Sequence, residues 1–350
     1  MQYRPLGRTG LTVSSICLGT MTFGEQNSEA EGFAQMDMAL DHGVNFLDAA
    51  ELYPSPPKPE TQGRTEEIVG NWVKARGLRD KVIVATKVIG RSEMTWFRND
   101  GSEGRLTKAQ IDEAIDKSLR RLKMDYVDLY QVHWPEREVS GFGSNPTRFV
   151  RVPPKADETP IEDILGYLDD LVTAGKVRHV GLSNESSWGL MRFVAGAEVG
   201  KGPRVASIQN AYSLVNRIFE VNLAEACDRE DVSLLAYSPL AQGYLTGKYE
   251  NGALPKGSRK QLFNRLQRYE KPGTAEAIST YVAIARDFGV DPALFANAFV
   301  TSRPFVTSNI VGATSTEQLK VAIASASFDF TSEMEAAVDA AHQLHGNPCP

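Results

Sequence analysis

The 350-residue chain is 42% hydrophobic and 23% charged, the proportions of a globular protein with ample material for a large core. Its 38 lysines and arginines against 44 aspartates and glutamates give a net charge of -6, so no broad basic field exists for a phosphate backbone, and no nucleic-acid partner is expected. No apolar run is long enough to span a bilayer, and the amino-terminal MQYRPLGRTGLTVSSICLGTM lacks a signal-length apolar core, so a cytoplasmic protein without a membrane partner is expected.

Short β-branched apolar runs alternate with longer helical patterns. The first two are SSICLGTM at 14–21 and VNFLDAAELY at 44–53, followed by KVIVATKV at 81–88. Thr107 to Gln110 then reads as a capping box opening a helix whose stripe is Ile111, Ile115, Leu119 and Leu122. After YVDLYQVHW at 126–134, a second capping box runs from Thr159 to Glu162, with Pro160 at the expected first helical position. Its stripe is Ile161, Ile164, Leu165, Leu168 and Leu171, and Gly175 is expected to close it. The remaining strands are VRHVGLSN at 177–184, ASIQNAYS at 206–213, SLLAYSPL at 233–240 and SNIVGATS at 308–315.

Eight buried-type strands in repeating βα order predict a single-domain α/β protein, a (β/α)8 TIM barrel spanning 1–350. A doubly wound open sheet is the alternative, but no G-x-G-x-x-G follows any strand, and Gly141-Phe142-Gly143 lacks the third glycine. Three connections are long for plain turns, at 89–106, 135–158 and 242–274, and all follow strand C-termini. On a barrel they become expected substrate walls, with Trp96, Trp134 and Phe142 as apolar surface.

Asp48 ends the second strand, Lys87 lies late in the third, His133 ends the fourth, and Tyr53 lies just past Asp48. On adjacent parallel strands these four side chains converge on one mouth. A lysine buried alone would be costly, and Asp48 is the natural counter-charge. Lys87 is then expected to lower the Tyr53 pKa from about 10 toward working pH, making the phenol a general acid. His133 is expected to bind or polarise the same substrate oxygen. Taken singly, the histidine reads more readily as a structural residue and the Asp–Lys pair at least as readily; the constellation with Tyr53 favours chemistry. Cys17, Cys227 and Cys349 are scattered and odd in number, so structural thiols and no metal site are expected.

From LTVSSICLGTMTFGEQNSEA through AELYPSPPKPETQG, DYVDLYQVHWP, GKVRHVGLSNE, IQNAYSLVNR and LLAYSPLAQGYLTGKY to VGATSTEQLK, the chain resembles the aldo-keto reductases, above all their bacterial Tas-type branch. The resemblance runs nearly end to end. It implies a catalytic tetrad of Asp48, Tyr53, Lys87 and His133, with Tyr53 as proton donor, a small carbonyl substrate and NADP(H) as cofactor. It further implies cofactor contacts from Gly19, Thr20, Met21 and Asp48, carboxamide holders Ser183, Asn184 and Gln209, and Tyr237 stacked on the nicotinamide. Ser238, Leu240, Gln242 and Gly243 match a loop covering the pyrophosphate, and Lys248 and Arg259 match cationic phosphate contacts. Gly312, Thr314, Thr316 and Gln318 match the adenosine side, where a helix N-terminus suits phosphate. Val321 and Ala322 stand where Glu-Asn is usual, removing an adenine-side hydrogen bond.

GYLTGKY differs from a Walker A loop in glycine spacing and in having Tyr249 for Ser/Thr, which excludes that reading. Two other functions compete with a reductase. A nucleotide-sensing regulatory subunit would use the same cofactor residues with little turnover. A barrel glycosidase would pair Asp48 with Glu51 or Glu185, leaving Tyr53, Lys87 and His133 without a task.

Overall fold

The computed structural model describes residues 1–139 and 151–349. Strands β1 (Tyr3–Pro5) and β2 (Thr12–Ser14) form an antiparallel hairpin, an element the sequence reading had not anticipated. Eight strands follow: β3 (Ile16–Gly19), β4 (Phe46–Asp48), β5 (Ile83–Val88), β6 (Val127–Val132), β7 (Val177–Ser183), β8 (Ser207–Ala211), β9 (Ser233–Tyr237) and β10 (Val306–Val311). They pair in parallel, in chain order, and close where β10 meets β3. The expected (β/α)8 barrel is therefore present, with a strand inside each of the first seven runs and β10 starting two residues before the eighth.

Alternation along the strands builds two apolar compartments. Cys17, Phe46, Ala85, Leu129, Leu235 and Ile310 face one another inside the barrel, and Leu6 and Val13 of the hairpin join them. Because Leu6 and Val13 precede β3, they plug the end where the strands begin. Residues one step along, such as Val84 and Tyr130, turn outward to the helices. At the far end of the strands the same inward parity brings Asp48, Lys87, Gln131 and His133 to the mouth.

The helices are α1 (Glu29–Asp41), α2 (Arg64–Arg76), α3 (Lys108–Leu122), α4 (Ile161–Thr173), α5 (Ser187–Glu198), α6 (Leu223–Glu230), α7 (Arg259–Phe263), α8 (Thr274–Asp287), α9 (Pro292–Thr301), α10 (Thr316–Ala324) and α11 (Ser332–His345). Among the described residues none is long and apolar enough to cross a membrane. The predicted stripe of α4 is buried in full. That of α3 holds at Ile111, Ile115 and Leu122, with Leu119 partly buried.

The helix starts differ from expectation. Thr107 occupies the N-cap of α3 but its side chain makes no cap, because Gln110 turns to the preceding loop and accepts the backbone N–H of Arg105 at 2.7 Å. Pro160 is the N-cap of α4 rather than its first helical residue, so the Thr159–Glu162 box does not form. A capping box does occur at Ser28–Glu31. The α4 stop is as expected: Gly175 takes φ +74° and donates to Val172, while Lys176 donates to Leu171, the two bonds of a Schellman motif.

Gly70 marks the closest approach of two helices. A Cβ there would stand 2.7 Å from the Leu122 Cα and closer still to its carbonyl, all backbone atoms that cannot rotate away. Gly70→Ala is expected to cost about 1–3 kcal/mol by overpacking, read as a lower midpoint in urea with an unchanged slope.

Candidate active site

The end of β4 carries the centre of the site. Asp48 pairs in register with Ala85 of β5, and Lys87, two residues on, reaches back to it. The Lys87 ammonium donates to Asp48 Oδ2 at 2.6 Å and to the Ala49 carbonyl at 2.8 Å, and both side chains are buried. Asp48 Oδ1 accepts from Gln209 Nε2 at 2.9 Å and from Gln131 Nε2 at 3.2 Å. The buried carboxylate thus has a cation on one oxygen and two amides on the other, which is what its removal from water demands. Burial alone would drive the Lys87 pKa down. Asp48 and Tyr53 more than offset this, and the net direction is upward, so the group is cationic at neutral pH.

Tyr53 sits half-buried above this pair, with the Lys87 ammonium 4.8 Å from its ring centroid. The His133 ring meets it edge-on at 5.7 Å. The four predicted catalytic side chains are therefore brought together. The expected pKa of Tyr53 needs correction: its direction is up, because burial outweighs the lowering by Lys87, and Asp48 adds to the rise. The phenol holds its proton firmly, and Lys87 serves to limit the penalty on the phenolate.

His133 is buried, and burial followed by the nearby Lys87 pushes its pKa well below the ordinary 6.5. Its Nδ1 is buried without a hydrogen-bond partner. A neutral imidazole next to a cation can offer a hydrogen bond to a substrate oxygen but adds no charge. With its folded pKa depressed, the stability tied to neutral His133 is present above about pH 6.5 and is lost as pH falls below it.

The remaining sequence-implied residues trace a track around the mouth. Ser183 Oγ donates to the Gln209 carbonyl at 2.8 Å. Asn184, at φ +56°, donates to the His133 carbonyl at 2.8 Å and accepts from the Tyr237 hydroxyl at 2.6 Å. After β9 the chain takes positive φ at Ser238, Ala241, Gln242 and Gly243, and Gln242 Oε1 is buried without a partner. Positive-φ backbone of this kind is sparsely populated by non-glycine residues and is concentrated here at one strand end. The Leu240 carbonyl braces it, accepting from Gly243 at 2.8 Å. Lys248 folds against Gly243, where a Cβ would stand 2.9 Å from its Nζ. Arg259 crosses the mouth to donate to the Ser55 hydroxyl at 3.3 Å, and burial lowers its pKa.

On the opposite rim, Thr20 donates twice to the Asp48 carbonyl, at 2.8 and 3.1 Å, and the Met21 carbonyl accepts from Ser55 at 2.9 Å. Gly19 lies so close to β10 that a Cβ would meet the Ile310 side chain at 2.9 Å, whereas Gly312 faces open space. Gln318 Oε1 accepts from the backbone and hydroxyl of Thr314 at 3.1 and 3.2 Å. Thr316 donates to Glu317, and Ser315 caps α10, so this helix start carries a carboxylate in its first turn and is a weaker anion site than a bare terminus.

Several expectations about the surroundings change. The segments at 89–106 and 242–274, expected to be too long for plain turns, contain short helical turns and, in the second, α7. Trp96 stacks on Phe97, and Trp134 donates to the Arg91 carbonyl at 2.9 Å; Phe142 lies outside the described residues. The two carboxylates of the glycosidase alternative are both ion-paired, Glu51 with Arg98 and Glu185 with Arg137. The three cysteines are buried thiols, with burial pushing Cys227 up to about 12 and Cys349 to about 11. Gln131 was missed. It lies two residues before His133 in YVDLYQVHW, on the same strand parity, and that period of two was the available signal.

The model of the aldo/keto reductase family matches residues 15–343. The chain belongs to the aldo/keto reductase family. Membership makes it an oxidoreductase of carbonyl groups in a family that typically uses NAD(P)H. This aldo/keto reductase is 47% identical, over the whole of both chains, to "Protein tas" of Escherichia coli. It is 33% identical to the uncharacterized oxidoreductase YrpG of Bacillus subtilis, over 91% of this chain and 89% of the relative. It is 31% identical to a probable voltage-gated potassium channel subunit beta of Arabidopsis thaliana, over the same shares.

Proposed function

We propose that this aldo/keto reductase uses NADPH to reduce an aldehyde or ketone to an alcohol, with Tyr53 as proton donor. The observation that carries this reading is the buried Lys87–Asp48 pair held directly beneath Tyr53 and beside His133. A protonated phenol is needed to donate, and a cation beneath it offsets the charge that donation leaves behind.

The residues present fit the cofactor. Gln209 commits its Nε2 to Asp48, which leaves Oε1 to face a carboxamide N–H. The positive-φ run after β9 suits a loop that closes over a ligand, and Gln242 Oε1 is buried there without a protein partner. Ser183, Asn184 and Gln209 would hold the carboxamide, Tyr237 would stack on the ring, and Ser238, Leu240, Gln242 and Gly243 would cover the pyrophosphate. Lys248 and Arg259 would meet phosphate, with Gly19, Thr20, Met21, Gly312, Thr314, Thr316 and Gln318 completing the track. When bound, the cofactor supplies the hydride that adds to the carbonyl carbon. The carbonyl oxygen takes its proton from the Tyr53 hydroxyl, His133 orients that oxygen, and the resulting phenolate rests against Lys87 until solvent restores its proton.

Thermal melts with each nucleotide, followed by aldehyde reduction, test the proposal. At about one hundred times its Kd, NADPH is expected to stabilise the fold by about 2.7 kcal/mol. Equal shifts with NADH would overturn the nucleotide preference, and NADPH binding without turnover of any aldehyde would favour the regulatory-subunit reading that the potassium-channel relative raises. Because His133 is neutral, kcat is expected to stay flat from pH 8 to about pH 6. An inflection near pH 6.5 would show that the imidazole titrates.

A further inference from the structure

Three residues past Asp48 and two before Tyr53, Glu51 is buried and has no part in the proton chemistry above. Its carboxylate takes both arms of Arg98, Nη1 to Oε2 at 2.9 Å and Nη2 to Oε1 at 3.0 Å, with each side chain 1% exposed. Oε1 also accepts the Ile89 backbone N–H at 2.9 Å. The backbone of Glu51 is engaged on both sides, donating to the Lys87 carbonyl at 3.2 Å and accepting from Gln62 at 2.5 Å. Arg98 is itself anchored, with Nε donating to Gln110 of α3 at 3.2 Å. Gln110 in turn holds the 98–105 loop through Arg105, Ser102 and Glu103, the use that keeps it from capping its own helix.

We propose that the Arg98–Glu51 pair is a positioning device that fixes the Tyr53 turn against β5 and the 89–106 wall, so that Tyr53, Lys87 and the substrate wall keep one geometry. The inference rests on the reductase reading of the site. A buried ion pair is a poor way to gain stability, since apolar residues of similar volume often do better. It is a good way to fix a turn in one place, because two charges and six hydrogen bonds are satisfied together only in one arrangement. The gain is in the reaction: a misplacement of about 1 Å in a reacting group is enough to slow chemistry about 100-fold. The hydrogen bonds of Arg98 go to Glu51, Gln110 and the Phe97 carbonyl rather than to Tyr53, so its effect on Tyr53 passes through Glu51.

The test is single-turnover hydride transfer from bound NADPH to 4-nitrobenzaldehyde, with NADPH affinity measured by fluorescence. Arg98→Met and Glu51→Gln are expected to slow transfer about 10- to 100-fold with NADPH Kd within about twofold of the parent. Arg98→Lys keeps the charge and one hydrogen bond and is expected to recover part of the lost rate. Glu51→Gln preserves shape and the acceptor for Ile89, so it carries the comparison if Arg98→Met does not fold. Parental rates in both variants would overturn the proposal, as would rate losses that only track losses of NADPH affinity and melting temperature. Tyr53→Phe in the same series separates the two levels: a parental rate there sinks the reading of the site itself.

Discussion

Tyr53→Phe is expected to lower turnover about 10²- to 10⁴-fold, the usual range for loss of a general acid, while NADPH affinity stays within about twofold of the parent. The substitution is chosen for what it preserves. Phenylalanine keeps the ring that meets His133 edge-on at 5.7 Å and covers Lys87 at 4.8 Å, and removes only the hydroxyl. The loss should therefore fall on kcat and kcat/KM alike, the signature of an interaction made only in the transition state. Because burial raises the Tyr53 pKa, the parent enzyme should also remain active well into alkaline pH, with activity falling only as the phenol ionises. Steady-state reduction of an aldehyde series, paired with fluorescence titration, checks both. Joint loss of turnover and NADPH binding would show that the hydroxyl serves the nucleotide rather than the carbonyl.

The barrel was legible because each strand leaves a run of apolar residues, and the turn from apolar to polar at the run's end locates the mouth. Asp48, Lys87 and His133 stand out for that reason. Gln131 does not, since a glutamine inside YVDLYQVHW reads as a tolerated polar residue until parity is counted. The hairpin at β1 and β2 was hidden by its length: strands of three residues carry too little pattern. Gln110 misled for a different reason. The capping-box rule asks only what a side chain is able to do locally, and here a tertiary task, holding the wall at Arg98 and Arg105, took the same amide. The direction of the Tyr53 pKa was missed because sequence gives the neighbour, Lys87, but not the depth of burial, and burial has the larger effect. Arg98 was unreadable as the partner of Glu51, since 47 positions separate them and Arg98 lies in no quoted motif.

Lys87→Met should combine a stability loss of about 3–5 kcal/mol with a fall in turnover of about 100-fold or more, and a second substitution should separate the two. Removing the cation leaves Asp48 buried with only the amides of Gln131 and Gln209, both on Oδ1, so Oδ2 keeps a charge with nothing to meet it. Lys87→Met with Asp48→Asn removes the stranded charge while retaining an amide oxygen for the two glutamines. Most of the lost stability should return in urea unfolding, whereas turnover should not, because the cation beneath Tyr53 is still missing. The pH dependence has a definite sign. The folded pKa of Lys87 is raised above its ordinary 10.5, so its contribution is complete below that value and is lost as pH rises through the folded pKa. The gap between parent and Lys87→Met should therefore be constant from about pH 7 to 9 and narrow on the alkaline side only above about pH 10.5. A double variant as unstable as Lys87→Met alone would mean that the ammonium's bond to the Ala49 carbonyl, rather than its charge on Asp48, holds the start of the Tyr53 turn.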